Sequence, residues 1–177
     1  MNLILFILFI FSSIFNQTDM EFSINREVVW RSLDGKKFEH VQLMSNEEGI
    51  LADGLIIHLD ADSSYRIRYR IQCDSAWQVR KVHLQRLDAS SQELFLHGDG
   101  KGKWKNKKGN RIEILDGARD IDIHFSPFTN TLAIRRLKLK QGIATQTQVV
   151  FINVPDLSFE IARQQYTLIE DNTIVKL

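Results

Sequence analysis

Along most of the chain, apolar and polar residues alternate with a period of two rather than 3.6, the pattern of strands that bury one face. The clearest stretch runs from Tyr65 to Gln72: Tyr65, Ile67, Tyr69 and Ile71 point to one side, and Arg66, Arg68 and Arg70 to the other. The same alternation predicts strands at Val28 to Leu33, Phe38 to Met44, Gly54 to Leu59, Gln78 to Leu87, Glu93 to His97, Arg111 to Leu115, Ile121 to Phe125, Leu132 to Lys140 and Thr145 to Asn153. In Leu157 to Thr167, Leu157 and Ile161 also stand at helical spacing behind Asp156. However, Leu157, Phe159 and Ile161 alternate with Ser158 and Glu160, which selects a strand. Proline occurs only at positions 127 and 155, and Gly, Asn and Asp supply the turns, so a meandering all-β sheet or barrel is expected rather than βαβ units.

Composition adds scale to this pattern. With 177 residues, 44% of them hydrophobic and 25% charged, the chain can bury one sizeable core, and no linker-like stretch divides it. One domain is expected over residues 20–177. Residues 1–19 hold an apolar run too short for the ~20 residues of a membrane-spanning helix. No Lys or Arg precedes that run, no small-x-small cleavage site follows it, and Met20 offers a second start. It is read as an over-extended start of a cytoplasmic protein that contributes no strand to the fold; the alternative is a true export or anchoring signal. A net charge of +1 provides no global drive toward nucleic acid. The arginine row from Arg66 to Arg70 also lacks aromatic residues on its own face for base stacking. That row is a solvated strand face or a set of donors for acidic groups. A lone Cys73 excludes an intramolecular disulfide.

The candidate chemistry is concentrated between Arg111 and Lys140. Asp120, Asp122 and His124 share a face, but in a strand the outer two stand roughly 13 Å apart, too far for one ion, and no metal site is expected. Arg135 and Arg136 point to opposite faces if the returning segment is a strand, so one of them goes inward and requires a carboxylate. Asp120 or Asp122 is the nearest supplier across the turn, and a hairpin ion pair of Asp122 with Arg135 or Arg136 is expected. The glycine run from Gly98 to Gly102 lacks the spacing and the Ser or Thr of a nucleotide-binding loop and reads as a hairpin turn. Trp104 and Trp77 each read as a core-sealing residue or as a flat platform at a cavity mouth. No serine stands in a nucleophile elbow, and the five histidines are scattered.

The run DIDIHFSPFTNTLAIRRL (Asp120 to Leu137) closely resembles the signature of a glycolipid-binding family of bacterial proteins, long catalogued as a domain of unknown function. Residues Tyr65 to Val82, Leu96 to Trp104, Phe151 to Leu157 and Arg163 to Thr167 are similar to its other landmarks, in the same order. The chain departs from the family at Ala118 and Ala133, where Cys and Pro are common. The resemblance implies an antiparallel open barrel or highly curved sheet with an apolar concavity, similar to lipoprotein-localisation carriers. It implies a lipid or glycolipid ligand; with the apolar strand faces and aromatic residues, Trp77, Trp104, Asp122, Phe125, Phe128, Asn130, Arg135 and Arg136 are the candidate binding residues, no cofactor is expected, and a non-catalytic role is favoured with catalysis left open. Two alternatives stand beside it: a hydrolase or isomerase of a small amphiphile using Asp122 and His124, and a protein-interaction module with a filled core. Oligomeric state is not set by the sequence.

Overall fold

The computed structural model of the protein describes residues 5–7, 24–61, 63–170 and 173–176. The strands, in chain order, are β1 (Leu5–Ile7), β2 (Asn25–Arg31), β3 (Lys37–Asn46), β4 (Gly49–His58), β5 (Tyr65–Cys73), β6 (Val79–Arg86), β7 (Glu93–Gly98), β8 (Trp104–Asn106), β9 (Asp120–Ile123), β10 (Ala144–Ile152), β11 (Phe159–Glu170) and β12 (Thr173–Lys176), with one helix, α1 (Pro127–Leu137). β2 to β8 form a seven-stranded antiparallel meander in chain order, strongly curled into a half-barrel. A second sheet, ordered β1-β12-β11-β10-β9, is antiparallel except for β9 and β10, which run parallel. The expectation of an all-β open barrel or highly curved sheet is borne out as a half-barrel.

The alternating faces of β5 show why the meander curls around a core. Tyr65, Ile67, Tyr69 and Ile71 are buried while Arg66, Arg68 and Arg70 are exposed. Neighbouring strands add Val41, Ile56, Val82, Leu84 and Leu96 to the same side, all at 2% exposure or less. The concave face is thus apolar and close-packed. Ile121, Ile123, Val150 and Ile152 of the second sheet, with Phe128 and Leu132 of α1, complete one continuous core. At ~25 cal/mol per Å² of apolar surface removed from water, this shared burial is what holds the two sheets together.

Four local expectations are corrected. Leu132 to Lys140 is not a returning strand: residues 127–137 form α1, and the crossover from β9 through α1 to β10 is a βαβ unit. The helix starts here because Ser126 takes the N-cap with its Oγ accepting from the Thr129 N–H (3.3 Å), and Pro127 fits the first helical position, where its missing N–H costs nothing. Helical winding then places Phe128, Leu132 and Ala133 inward, and the chain leaves through Lys138 in the left-handed region. The predicted strand Arg111 to Leu115 is a bridge at Arg111 followed by a 3₁₀ turn, Glu113–Leu115. β8, which the sequence pattern missed, pairs with β7 across the turn from Gly98 to Gly102, as the glycine run predicted. Within the apolar leader, Leu5–Ile7 pair as an edge strand with Thr173–Val175, against the expectation of no partner. The rest of residues 1–19 lies outside the described residues.

Candidate ligand-binding cleft

A cleft of about 340 Å³ opens where four separate segments meet: Ala76, Trp77 and Gln78 after β5, Gly100 at the β7–β8 turn, Arg119 and Asp120 at the start of β9, and Leu132, Arg135 and Arg136 of α1. Its volume is at the lower end of ligand pockets, about 300–1,000 Å³. The first wall is built on Asp74. Its Oδ1 accepts from the N–H groups of Ala76 (3.0 Å) and Gln78 (2.9 Å), and its Oδ2 accepts from Arg80 Nε (3.0 Å) and Nη2 (2.7 Å). Burial alone would raise the Asp74 pKa; the bonds from Gln78 and Arg80 outweigh it and hold the carboxyl below its ordinary value. This bracing keeps Trp77 at φ 62°, a left-handed backbone that costs a non-glycine residue about 1–3 kcal/mol. The strain turns the indole toward α1, where the Arg135 guanidinium lies 4.2 Å from its ring centroid.

The second wall demands glycine. Gly100 has φ 73°, and a Cβ there would stand 2.3 Å from Gln78 Oε1 and 2.7 Å from Arg80 Nη1. The main chain therefore closes directly on the Gln78 and Arg80 side chains, and Arg119 Nη2 donates to the Gly100 carbonyl at 3.4 Å. The third wall holds an ion pair. Arg136 donates to Asp120 Oδ2 from Nε (2.8 Å) and Nη2 (2.5 Å), and from Nη2 to Thr147 Oγ1 (2.8 Å), while Asp120 is only 3% exposed. The arginine that needs a carboxylate finds it in Asp120, not in Asp122.

Asp122 lies deeper, in a polar seam beneath the first turn of α1. Its Oδ2 accepts from Lys176 Nζ (2.6 Å) and Gln164 Nε2 (2.6 Å), and its Oδ1 from the Thr129 hydroxyl (3.1 Å). Tyr166 donates its hydroxyl toward Asn130 Oδ1 (3.1 Å) and Gln164 Oε1 (2.9 Å). Alongside stands Glu39 of β3, 1% exposed, which accepts from Tyr69 Oη (2.7 Å), from the Phe128 N–H (3.1 Å) and from Ser126 Oγ. Burial pushes the Glu39 carboxyl up to about 7, although its three donors pull it down, and the nearby Asp122 charge adds to the rise.

The expected site residues thus fall in four places. Trp77, Arg135 and Arg136 meet at the cleft. Asp122 and Asn130 belong to the buried seam. Trp104 and Phe128 are core residues: Trp104 is 1% exposed with Nε1 donating to the Ala118 carbonyl (2.7 Å), and Phe128 stacks on Tyr69. Phe125 is in a separate aromatic group, stacked on His124 at 3.6 Å with Lys37 Nζ 3.5 Å over its ring. Burial, with the Lys37 charge second, lowers the His124 pKa. Asp122 and His124, which the alternative enzyme reading would use, are engaged with different partners. Among the described residues no group of His, Cys, Asp and Glu could hold a metal ion. Glu39 escaped the sequence reading, yet it carried a signal: it shares the period-two face of Val41 and Leu43, where a carboxylate does not belong without a task.

The family described as "Putative glycolipid-binding" matches residues 27–176. The chain belongs to that family. The crystal structure of another protein, a DUF1089 family protein from Pseudomonas aeruginosa, superposes with a TM-score of 0.72 at 27% identity, over 93% of this chain and 84% of the other. No curated protein matches the chain. The resemblance carried by Asp120 to Leu137 is therefore sound, and within this family member that signature spells β9, the N-cap of α1 and the two cleft arginines. No helix among the described residues is long and apolar enough to cross a membrane.

Proposed function

We propose that the protein binds an amphiphilic lipid or glycolipid without chemically altering it, taking the head group into the cleft beside Trp77. The family's description supports the ligand class. The observation that carries the reading is the Trp77 indole, held in a strained backbone at the cleft and stacked on Arg135: a flat apolar plate beside polar donors suits a sugar or polyol head. The half-barrel interior is filled by its own side chains, so the head group enters a space already present, and the tail requires side chains to part. Commitment of Asp122 to Lys176, Gln164 and Thr129 supports a binding protein over an acid–base enzyme.

Titration of delipidated protein with a chain-bearing glycolipid is expected to change Trp77 emission saturably, and Trp77→Phe to abolish the change. Lack of saturable binding below ~100 μM, about 5.5 kcal/mol, overturns the reading. The second reading, a protein-interaction module, has the filled half-barrel in its favour and then takes its place.

A further inference from the structure

We infer that the cleft selects an anionic head group, a phosphate ester carried on a sugar or polyol, and that Arg135 and Arg119 are its specificity-determining residues. The inference rests on the lipid reading for the source of that anion, not for the anion site itself. Three arginines and one aspartate line the cleft. Arg136 is matched by Asp120. Arg119 and Arg135 make no ion pair among the described residues; Arg119 reaches a carbonyl and Arg135 an aromatic face. The cleft therefore holds two positive charges that the protein does not cancel.

The geometry distinguishes this from ordinary surface charge. Arg68 and Arg70, on the outer face of the half-barrel, share Asp53; Arg80 is tied to Asp74, Arg86 to Asp88 and Arg111 to Asp116. Arg26, Arg31, Arg66 and Arg163 also make no ion pair among the described residues, but each stands exposed outside the cleft; Arg119 and Arg135 are the two such arginines that line it together. The Arg135 guanidinium lies over the Trp77 ring and makes no side-chain hydrogen bond among the described residues, so its donors at the cleft are available to phosphate oxygens, which a guanidinium can meet in a bidentate fork. Trp77 borders the same space, beside where the polyol carrying the phosphate would lie. Trp77 and Gly100, both with positive φ, stand at this cleft.

The test uses the full chain and four probes: phosphatidylglycerol vesicles, phosphatidylcholine vesicles bearing a neutral galactosyl lipid, phosphatidylcholine vesicles alone, and glucose 6-phosphate in solution. Calorimetry is expected to show preference for phosphatidylglycerol over both neutral surfaces, weakened roughly tenfold or more by Arg135→Gln and by Arg119→Gln. Arg135→Lys, which keeps the charge but not the stacked fork, is expected to weaken binding as well. Arg66→Gln, removing a charge from the outer face, should leave it unchanged, and melting temperatures of all four variants should match the parent. Binding of glucose 6-phosphate without any vesicle supports the anion site and overturns the lipid source. Equal affinity for the neutral galactosyl lipid, insensitive to Arg135→Gln, overturns the anion site and leaves the glycolipid reading standing. Equal loss in Arg66→Gln and Arg135→Gln also overturns it, in favour of diffuse surface attraction.

Discussion

The two ends of α1 treat polar groups in opposite ways. At its N-terminal end, Ser126, Thr129 and Asn130 are buried and partnered by Glu39, Asp122 and Tyr166, so each donor there meets an acceptor within the protein. At its C-terminal end, Arg136 is matched by Asp120, while Arg135 lies on an indole with its donors facing a cleft. One end is closed because an unmet polar group in a low-dielectric interior costs several kcal/mol; the other stays open because water can serve the donors until something better arrives. The difference separates what holds the fold from what is available for a ligand, on one helix of 11 residues.

The severest way to break the closed end is Asp122→Ala, which strands Lys176, Gln164 and Thr129 together. Urea unfolding is expected to show a loss of about 3 to 5 kcal/mol; a loss under about 1 kcal/mol would mean that Lys176 escapes to solvent and that the seam is not closed. The same substitution should leave head-group affinity per folded molecule unchanged.

A second test works through pH. The folded Glu39 carboxyl titrates at about 7 against an ordinary 4.5, so folding favours its protonated form. Its contribution is fully present below about pH 4.5, falls as pH rises through about 7, and amounts to about 3 kcal/mol. Asp53, lowered by Arg68 and Arg70 despite burial, and Asp74, lowered by the Gln78 N–H and Arg80 despite burial, act the other way and lose stability only at more acidic pH. Melting temperature should therefore rise as pH drops from 8 toward 5. Glu39→Gln, which can accept from the Phe128 N–H and donate to the two hydroxyls, should flatten that slope; an unchanged slope would place the titration elsewhere.

At the open end the expected stability effects are smaller. Gly100→Ala puts a Cβ into Gln78 and Arg80 at a left-handed φ, and a cost of about 1–2 kcal/mol in thermal melts is expected together with loss of the cleft, visible as a changed Trp77 emission spectrum. Arg135→Gln removes only a partly exposed cation–π contact. It should cost below about 1 kcal/mol in the same melts while changing binding, the opposite of Asp122→Ala.

How much of this was legible depends on the range of the cause. The faces of β5 could be read because period two is local: each side chain's direction follows from its neighbours. The helix was misread although its start was written in the chain as Ser126 followed by Pro127, since Ile134, Leu132 and the arginines also fit an alternating strand and a period of two was already dominant. The need of an inward arginine for a carboxylate was legible, and so was its source in Asp120 or Asp122; the choice between them was not, because winding the segment into a helix brings Arg136 to Asp120 and frees Asp122 for Lys176. Of the cleft, Trp77, Arg135 and Arg136 were named as candidates, but their meeting with Gly100 and Arg119 was beyond reach. Trp77, Gly100, Arg119 and Arg135 are on four segments that meet only after the half-barrel has curled, and the φ of Trp77 depends on an Asp74 network that no spacing rule encodes.

The carboxylate that receives the Phe128 N–H comes from 89 positions earlier in the chain. A helix of 11 residues is marginal by itself, and this one has its opening turn finished by a strand from the first third of the protein. The Phe128 N–H therefore has this acceptor only when β3 is in place, and protection of that amide from hydrogen exchange is expected to follow the docking of β3 against the first turn of α1.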